Sequence, residues 1–243
     1  MPVFDLPKAV IFPDPELADP SGILAVGGDL SPQRLLLAYK TGIFPWFNEG
    51  DPIVWWAPDP RMVLYPGNEH VSHSMKKIMR DKIFRFTFDI DFEAVIHQCK
   101  RQFRHGRAGT WITQSMLEAY IRLHEKGYAH SMEVWRGNHL AGGLYGVSLG
   151  SFFSGESMFS TVSNASKAGF ITLAKVLKHL RFHFIDCQMH TLHLASLGAC
   201  EISRKQYSKE LATCLLSRTI KGNWSKHDTV RQALETVSLM TYA

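Results

Sequence analysis

The sequence predicts an α+β protein in which a small N-terminal domain precedes a larger domain with a mixed sheet. Residues 1–62 are rich in Pro and Gly and carry four basic and eight acidic side chains, whereas residues 63–243 carry 23 basic and 14 acidic side chains. Several later segments alternate apolar and polar residues, as strands do. Other segments repeat apolar residues at helical spacing and lie between those strands. We therefore predict two domains, 1–62 and 63–243.

The N-terminal domain is predicted to contain one clear helix. Ser31 is suited to cap it, Pro32 to occupy its first position, and Gly42 to end it. The segment QRLLLAYK between them carries an apolar stripe. The rest of this domain should consist of loops and short strands, up to a boundary near Met62 where charge and composition change.

The larger domain is predicted to interleave helices with strands. Helical spacing occurs in SHSMKKIMRDK, DFEAVIHQCKRQF, TQSMLEAYIRLHEKG and ASKAGFITLAKVLKHLRF. Strand patterns occur in FRFTFDI, HSMEVWR, HLAGGLYGVS, SFFSGESMFS and FIDCQ. The dipeptide Gly137-Asn138 predicts a hairpin, Asn164 or Ser163 should cap the helix that follows, and Ser203 with Gln206 forms a capping-box pattern for the last helix.

Composition excludes several classes of protein. A chain that is 45% hydrophobic and 20% charged is typical of a packed globular protein. No apolar run approaches the roughly 18 residues of a membrane span, and the N-terminus does not read as a signal peptide. The four Cys lack both a CxxC pair and zinc spacings. We expect a cytoplasmic protein without a membrane anchor or a metal site.

Known catalytic signatures are also missing. The segment GESMF lacks the second Gly of a nucleophile elbow, and there is no P-loop or GxGxxG motif. His190 and His193 are three residues apart, but no third ligand stands at metal spacing.

Glu156 is the residue that the strand pattern does not explain. It lies in SFFSGESMFS, among Phe153, Met158 and Phe159. A buried carboxylate without partners is costly. Either another residue pairs with Glu156, or the function of the protein requires it.

The strand FIDCQ carries a second polar pair. Alternation places Asp186 and Gln188 on one face and Ile185 with Cys187 on the other. An acid beside an amide can position a polar reactant, although a satisfied buried hydrogen-bond pair is the simpler interpretation. Cys187 faces away from this pair, which disfavours it as a nucleophile.

Aromatic and basic residues suggest a nucleic acid partner. Trp46, Trp55 and Trp56 lie close together in sequence, and flat aromatic rings can stack on bases, although ordinary core packing explains them equally well. Trp111 follows a Gly-rich basic loop. One short helical segment is crowded with basic residues, which suits either phosphate binding or a solvated face: Lys76, Lys77, Arg80 and Lys82.

These segments together resemble the leucyl/phenylalanyl-tRNA–protein transferases. The matching stretches occur in the family's order from about residue 12 to about residue 210: GILAVGGDLSPQRLLLAYKTGIFPWF, WWAPDPRMVLYP, GTWIT, YAHSMEVW, AGGLYGV, GESMFS, NASKAG, IDCQ and SLGACEIS. The chain departs from the family's usual residues at Ala57, Ser203 and Leu144. Only Leu144 belongs to the expected pocket.

The resemblance implies a fold and a reaction. The larger domain would be GNAT-like, that is, similar to acyl-CoA N-acyltransferases. The enzyme would move Leu or Phe, and Met less well, from aminoacyl-tRNA to the N-terminal Arg or Lys of acceptor proteins, which marks them for N-end rule degradation. Because the tRNA ester is already activated, the reaction needs no cofactor.

The resemblance also implies site residues. Glu156 would hold the α-amino group of the donor, and Gln188, polarised by Asp186, would act on the attacking amine. An apolar pocket would hold the donor side chain, lined by Leu144, Phe153, Gly155, Ser157, Met158, Leu177 and Ile185. Trp46 and Trp111 would contact the terminal adenosine, and the basic segment at Lys76–Lys82 would contact the tRNA acceptor stem.

Two other functions are compatible with parts of the sequence. A CoA-dependent N-acetyltransferase would have a similar fold, but RHGRAG lacks the spacing of a pyrophosphate-binding loop. A non-catalytic tRNA-binding module would bind with a steep salt dependence and leave the ester intact.

Overall fold

The computed structural model of the protein describes residues 3–101 and 112–240. Its strands are β1 (Phe4–Leu6), β2 (Ile23–Gly27), β3 (Phe44–Pro45), β4 (Val54–Trp56), β5 (Arg61–Leu64), β6 (Arg85–Phe88), β7 (Ala129–Arg136), β8 (His139–Leu149), β9 (Phe152–Ser160), β10 (Phe184–Gln188) and β11 (Cys200–Ile202). Its α-helices are α1 (Pro32–Lys40), α2 (His73–Arg80), α3 (Phe92–Arg101), α4 (Gln114–Glu125), α5 (Ala165–His179), α6 (Leu192–Ser196), α7 (Arg204–Cys214) and α8 (Asp228–Leu239).

The strands form two sheets. The smaller sheet has the order β1-β2-β4-β3, and the larger one has the order β11-β5-β10-β9-β8-β7-β6. In the larger sheet, β9 and β10 run parallel, whereas the other neighbouring strands that the structure describes run antiparallel. The predicted α+β class and mixed sheet are confirmed.

The change from one sheet to the other falls between β4 and β5, that is, between Trp56 and Arg61. The boundary predicted near residue 62 lies within β5. One hydrophobic cluster joins the two parts of the chain, since Leu35 and Trp55 pack in the same cluster as Phe152. The division into domains 1–62 and 63–243 stays a prediction.

Local signals in the sequence account for the starts of several helices. The Ser31 hydroxyl accepts a hydrogen bond from the Arg34 amide at the start of α1, and Ser203 does the same for Gln206 at the start of α7. The Gln206 side chain bonds to Glu210 instead of returning to Ser203. Asn164 occupies the N-cap position of α5 but makes no capping bond with its side chain.

Helix α8 lies beyond the last helix that the sequence predicted. Its buried face is narrow, with Val230, Ala233 and Val237 packed inward, so the apolar stripe is weak in the sequence. Its residues contact α5, which supplies the apolar surface that the sequence of α8 does not reveal. No helix in the described parts of the chain is both long enough and apolar enough to cross a bilayer.

Candidate active site

A β-bulge places Glu156 in an otherwise apolar strand. On β9, Gly155 pairs with Gly146 of β8 and Ser157 pairs with Tyr145, so Glu156 is an extra residue in the ladder. Bulges bend a strand and redirect a side chain. The strands approach so closely at this point that a Cβ on Gly146 would lie 2.1 Å from a backbone oxygen of β9. The bulge therefore explains why a carboxylate interrupts the alternation.

A second bulge lies on the neighbouring strand. On β10, Asp186 pairs with Val63 and Gln188 with Met62, which leaves Cys187 as the extra residue. Gln188 adopts a left-handed backbone conformation with φ of 63°. Its backbone N–H donates to Oδ1 of Asp186 at 2.9 Å, which holds this turn. Because β9 and β10 are adjacent, the two bulges bring Glu156 and Gln188 together.

Neutral donors surround the Glu156 carboxylate. The Tyr120 hydroxyl donates to Oε2 at 2.8 Å. The Ser154 hydroxyl and the Gln188 amide donate to Oε1 at 3.2 and 2.9 Å. The hydroxyl of Tyr39 is hydrogen-bonded to that of Tyr120. Burial raises the pKa of Glu156 to about 7, although the bond from Tyr120 acts to lower it. Within the described part of the chain, no basic side chain forms an ion pair with Glu156.

Asp186, in contrast, is fully compensated. Arg61 donates to its two oxygens at 2.8 and 2.6 Å, and the Tyr207 hydroxyl donates to Oδ2 at 2.8 Å. The Arg61 guanidinium also lies over the rings of Phe44 and Tyr207. Burial alone would lower the pKa of Arg61, but the adjacent Asp186 carboxylate raises it. Asp186 contacts Gln188 through the backbone N–H, whereas the sequence suggested a contact with the side-chain amide.

A cavity of about 500 Å³ adjoins Glu156. Its apolar wall includes Phe44, Pro45, Leu144, Phe153, Met158, Phe170, Leu173 and Ile185. Its polar lining includes Glu156, Ser157, Gln188, His190, Thr191 and His193. The cavity is thus mostly apolar, with a few polar groups near the two bulges, as small-molecule sites usually are.

Most of the predicted pocket residues line this cavity. Leu144, Phe153, Gly155, Ser157, Met158 and Ile185 all do so. Leu177 is fully buried in the same hydrophobic cluster, but it is not among the lining residues. Phe170 and Leu173, which precede Leu177 on α5, line the cavity in its place.

The predicted tRNA-binding residues lie at several places. Trp46 is partly exposed and lines the cavity, and its ring lies 5.3 Å from that of Trp56. Trp111 lies outside the described residues. The four basic residues are exposed on α2 or just after it: Lys76, Lys77, Arg80 and Lys82.

Cys187 and a metal site were considered from the sequence. Burial raises the pKa of the Cys187 thiol well above its usual range, and the nearby Asp186 adds to that effect, so a thiolate nucleophile is disfavoured. No group of three or more His, Cys, Asp or Glu side chains within 3–101 and 112–240 is arranged to hold a metal ion.

Sequence reasoning missed the residues that hold these two carboxylates. Tyr39 and Tyr120 support Glu156, and Arg61 with Tyr207 supports Asp186. Arg61 is 125 positions from Asp186, and Tyr39 is 81 positions from Tyr120. The local signals were the hydroxyl groups of Tyr39 and Tyr120 in the apolar stripes of α1 and α4, and the basic residue Arg61 at the start of the buried strand β5.

Two family models match most of this chain. The family model described as "Leucyl/phenylalanyl-tRNA protein transferase" matches residues 63–212, and the model of the N-terminal domain of that transferase matches residues 28–59. The two matches together include the bulged segments of β9 and β10.

Relatives with that name are similar over nearly the whole chain. A leucyl/phenylalanyl-tRNA–protein transferase of Syntrophus aciditrophicus is 56% identical over 93% of this chain and 95% of its own length. Those of Maridesulfovibrio salexigens and Anaeromyxobacter sp. (strain K) are 53% and 50% identical over 92% of this chain, and over 94% and 96% of their own lengths.

A solved structure titled "The structure of L-PGS from Bacillus licheniformis" is only distantly similar. It covers 90% of this chain and 73% of its own, with 9% identity and a TM-score of 0.37, which is too low to support any inference. The sequence relatives and the family models agree with one another and cover the site. The chain therefore belongs to the leucyl/phenylalanyl-tRNA protein transferase family.

Proposed function

We propose that this chain transfers Leu or Phe from aminoacyl-tRNA to the N-terminal Arg or Lys of an acceptor protein. One observation carries the proposal: Glu156 is a buried carboxylate with only neutral partners in the described structure, and it lines an apolar cavity. An aminoacyl ester presents an α-ammonium group beside a side chain. For Leu and Phe, that side chain is apolar.

The donor would bind with its ammonium at Glu156 and its side chain against the apolar wall. A cation at Glu156 supplies the charge compensation that the described part of the protein does not provide, and it stabilises the ionised carboxylate. One methylene in an apolar pocket discriminates by only about 1–3 kcal/mol. Leu, Phe and, less well, Met would therefore share a wall formed by Leu144, Phe153, Met158 and Ile185.

Gln188 would position the attacking amine. A carboxylate accepts hydrogen bonds and does not donate them, so the Gln188 side chain must turn its NH₂ group toward Glu156. Its Oε1 then faces away from Glu156 and can accept an N–H of the acceptor amine. An amide has almost no basicity, so this role is orientation and not proton abstraction.

Asp186 would act as a positioning residue. Its charge is balanced by Arg61, and its Oδ1 accepts the backbone N–H of Gln188. This contact stabilises the left-handed conformation of Gln188, which is unfavourable for a residue with a Cβ. Asp186 and Arg61 would thus fix where the Gln188 amide points.

The reaction requires little from the protein beyond the placement of the donor at Glu156 and of the acceptor amine at Gln188. The neutral acceptor amine attacks the ester carbonyl, an amide C–N bond forms, and the bond to the tRNA oxygen breaks as the amine proton passes to that oxygen by way of solvent. An α-amino group titrates near 8, so a useful fraction is neutral at physiological pH. Close approach and orientation supply most of the acceleration.

The remaining parts of the tRNA would extend beyond the cavity. We propose that Trp46 stacks on the terminal adenosine, with Trp111 as a second contact, and that Lys76, Lys77, Arg80 and Lys82 bind acceptor-stem phosphates. The exposure of α2 and the partly exposed ring of Trp46 at the cavity favour these assignments. Neutralising one of these lysines should weaken tRNA binding and reduce its salt dependence by about one phosphate contact.

The larger sheet would serve as a GNAT-like acyltransferase scaffold. The feature that favours this is the parallel pair β9–β10, which carries Glu156 and Gln188 side by side.

We further propose a cytoplasmic monomer whose products are marked for N-end rule degradation. Size-exclusion chromatography with light scattering tests the monomer.

A transfer assay tests the proposed function. Purified protein is mixed with Phe-tRNA labelled on the amino acid and with peptides that begin with Arg or with acetylated Arg, without CoA or ATP. We expect label on the free-Arg peptide alone. Tight tRNA binding without any transfer would instead indicate a non-catalytic tRNA-binding module.

A further inference from the structure

The sheet register places a second carboxylate near the proposed reaction site. Met62 of β5 pairs with Gln188 on one side and with Glu201 of β11 on the other. Neighbouring strands lie about 4.8 Å apart, so the Cα atoms of Gln188 and Glu201 are separated by roughly 10 Å across the sheet. Paired residues project to the same face, so the side chain of Glu201 shares the face of Met62.

That face is the one that bears the cavity. Met62 packs in the same hydrophobic cluster as Leu144, Phe153 and Ile185, which line the cavity. Ile202, which follows Glu201, packs in the other cluster, as the alternation of a strand requires. Glu201 on β11 therefore lies on the same face of the sheet as the cavity, one strand beyond β5.

Glu201 also contacts the lining of the cavity directly. Its Oε1 lies 3.5 Å from Nδ1 of His190, a lining residue, and both side chains are about half exposed, at 43% and 49%. Among the described residues, Oε2 of Glu201 has no hydrogen-bond or ion-pair partner. The carboxylate is thus open to solvent at the edge of the cavity, and it can bind a further cation.

The other acidic groups of the site are already assigned. Glu156 is the only acidic residue among those that line the cavity in the described structure, and Asp186 is paired with Arg61. Near the start of α6, His193 lies close to Lys167, and burial together with the positive charge of Lys167 lowers the pKa of His193. A cationic side chain in the cavity would therefore be directed toward Glu201 and away from the positive charge of Lys167.

We infer that Glu201 binds the side-chain cation of the acceptor's N-terminal residue, a guanidinium or an ammonium group. This inference rests on the proposed function, because it requires the acceptor α-amine to lie at Gln188. An extended Arg or Lys side chain spans roughly 6 Å from Cα to its terminal nitrogen. Such a side chain bridges most of the distance between Gln188 and Glu201, and the Glu201 side chain covers the rest.

Steady-state transfer from labelled Phe-tRNA tests the inference. The acceptor peptides differ only in the first residue, which is Arg, Lys or citrulline; citrulline is neutral and has nearly the shape of Arg. The enzymes are the unaltered protein, Glu201→Gln, Glu201→Lys and the control Glu210→Gln. Glu210 also pairs with a His, namely His183 at 2.9 Å, but neither residue lines the cavity.

We expect Glu201→Gln to raise KM for the Arg and Lys peptides about tenfold, since a charge-assisted bond is lost, and Glu201→Lys to raise it further. KM for the citrulline peptide should be the same with Gln or Glu at position 201. The control should leave all three values unchanged. Melting temperatures and Phe-tRNA affinity, measured on each variant, show that the fold and the donor site are intact.

Each other outcome has a definite meaning. An unchanged KM for the Arg peptide in Glu201→Gln would overturn the inference and leave the proposed function standing. An equal rise for Arg and citrulline peptides would also overturn it, because the side chain would then act on shape and not on charge. No transfer by the unaltered protein would overturn the proposed function and the inference with it.

Discussion

Two buried carboxylates on neighbouring strands differ in how their charge is compensated. Asp186 on β10 receives two bonds from Arg61 and a third from Tyr207. Among residues 3–101 and 112–240, Glu156 on β9 receives bonds from hydroxyl and amide groups only. Ionised groups are costly to bury alone. We therefore interpret Asp186, whose charge is compensated, as a structural residue, and Glu156, whose charge is not, as a site that binds a cation of the substrate.

A third carboxylate shows that a shifted pKa alone is not sufficient to identify the site. Burial also raises the pKa of Glu133 to about 7, although Ser131 and Thr87 donate hydrogen bonds to it. Glu133 does not line the cavity beside Glu156. Perturbed titration indicates a functional site only in combination with a pocket. Glu133 is therefore a natural control for Glu156.

The largest effect should come from removing the charge that balances Asp186. Arg61→Ala leaves a buried carboxylate without its partner, which costs about 3–5 kcal/mol. Urea unfolding measures the loss. The control Arg231→Ala removes an exposed pair with Asp228 and should change the free energy of unfolding by less than about 1 kcal/mol. Similar losses in the two variants would show that Asp186 is not compensated as described.

The second effect is on transfer and not on stability. Glu156→Gln keeps the shape of the side chain but removes the charge that would hold the donor ammonium. We expect kcat/KM for Phe-tRNA to fall about a hundredfold, as measured with labelled donor and an Arg peptide. Glu133→Gln should stay within about twofold of the unaltered protein by the same reasoning. If both variants lost activity equally, the assignment of the donor ammonium to Glu156 and not to Glu133 would be wrong.

The third effect is on the pH dependence of stability. The folded pKa of Glu156 is raised from 4.5 to about 7, so the folded protein keeps a proton that the unfolded chain releases. The resulting stabilisation is fully present below pH 4.5 and is lost as the pH rises through 7. Relative to Glu156→Gln, the free energy of unfolding should fall by roughly 1–3 kcal/mol between pH 4.5 and 8.

Urea denaturation of the two proteins at a series of pH values measures that difference, and the other titrating groups cancel between them. A donor analogue that carries an ammonium should reduce the pH dependence, since it stabilises the ionised form of Glu156. A difference that does not vary with pH would mean that Glu156 titrates like an exposed carboxylate.

The smallest effect should come from the tyrosine that supports Glu156. Tyr120→Phe removes one donor and should cost about 1 kcal/mol of stability. Because the bond from Tyr120 lowers the pKa of Glu156, its loss raises that pKa further. The acidic limb of the pH–rate profile should therefore move to higher pH. Tyr65→Phe removes a hydroxyl that bonds to Glu210 instead, and it should leave the profile in place.

Much of the local structure was predictable from the sequence because its causes are local. Ser31 caps α1 through a neighbouring amide, and Gly137 turns the chain between β7 and β8. The apolar stripe of α5 follows from the spacing of its residues. The resemblance to a family followed from ordered segments, which the chain carries with departures at Ala57, Leu144 and Ser203.

The sequence by itself determined most of the helices, the longer strands, the family and the anomaly of a carboxylate within an apolar strand. Only the tertiary structure decided which residues meet that carboxylate. The partners of Glu156 on α4 and β10 are 36 and 32 positions away, and Arg61 is 125 positions from Asp186. Periodicity reports which face of an element is buried, whereas charge compensation and bulges depend on which chain segments pack against that face.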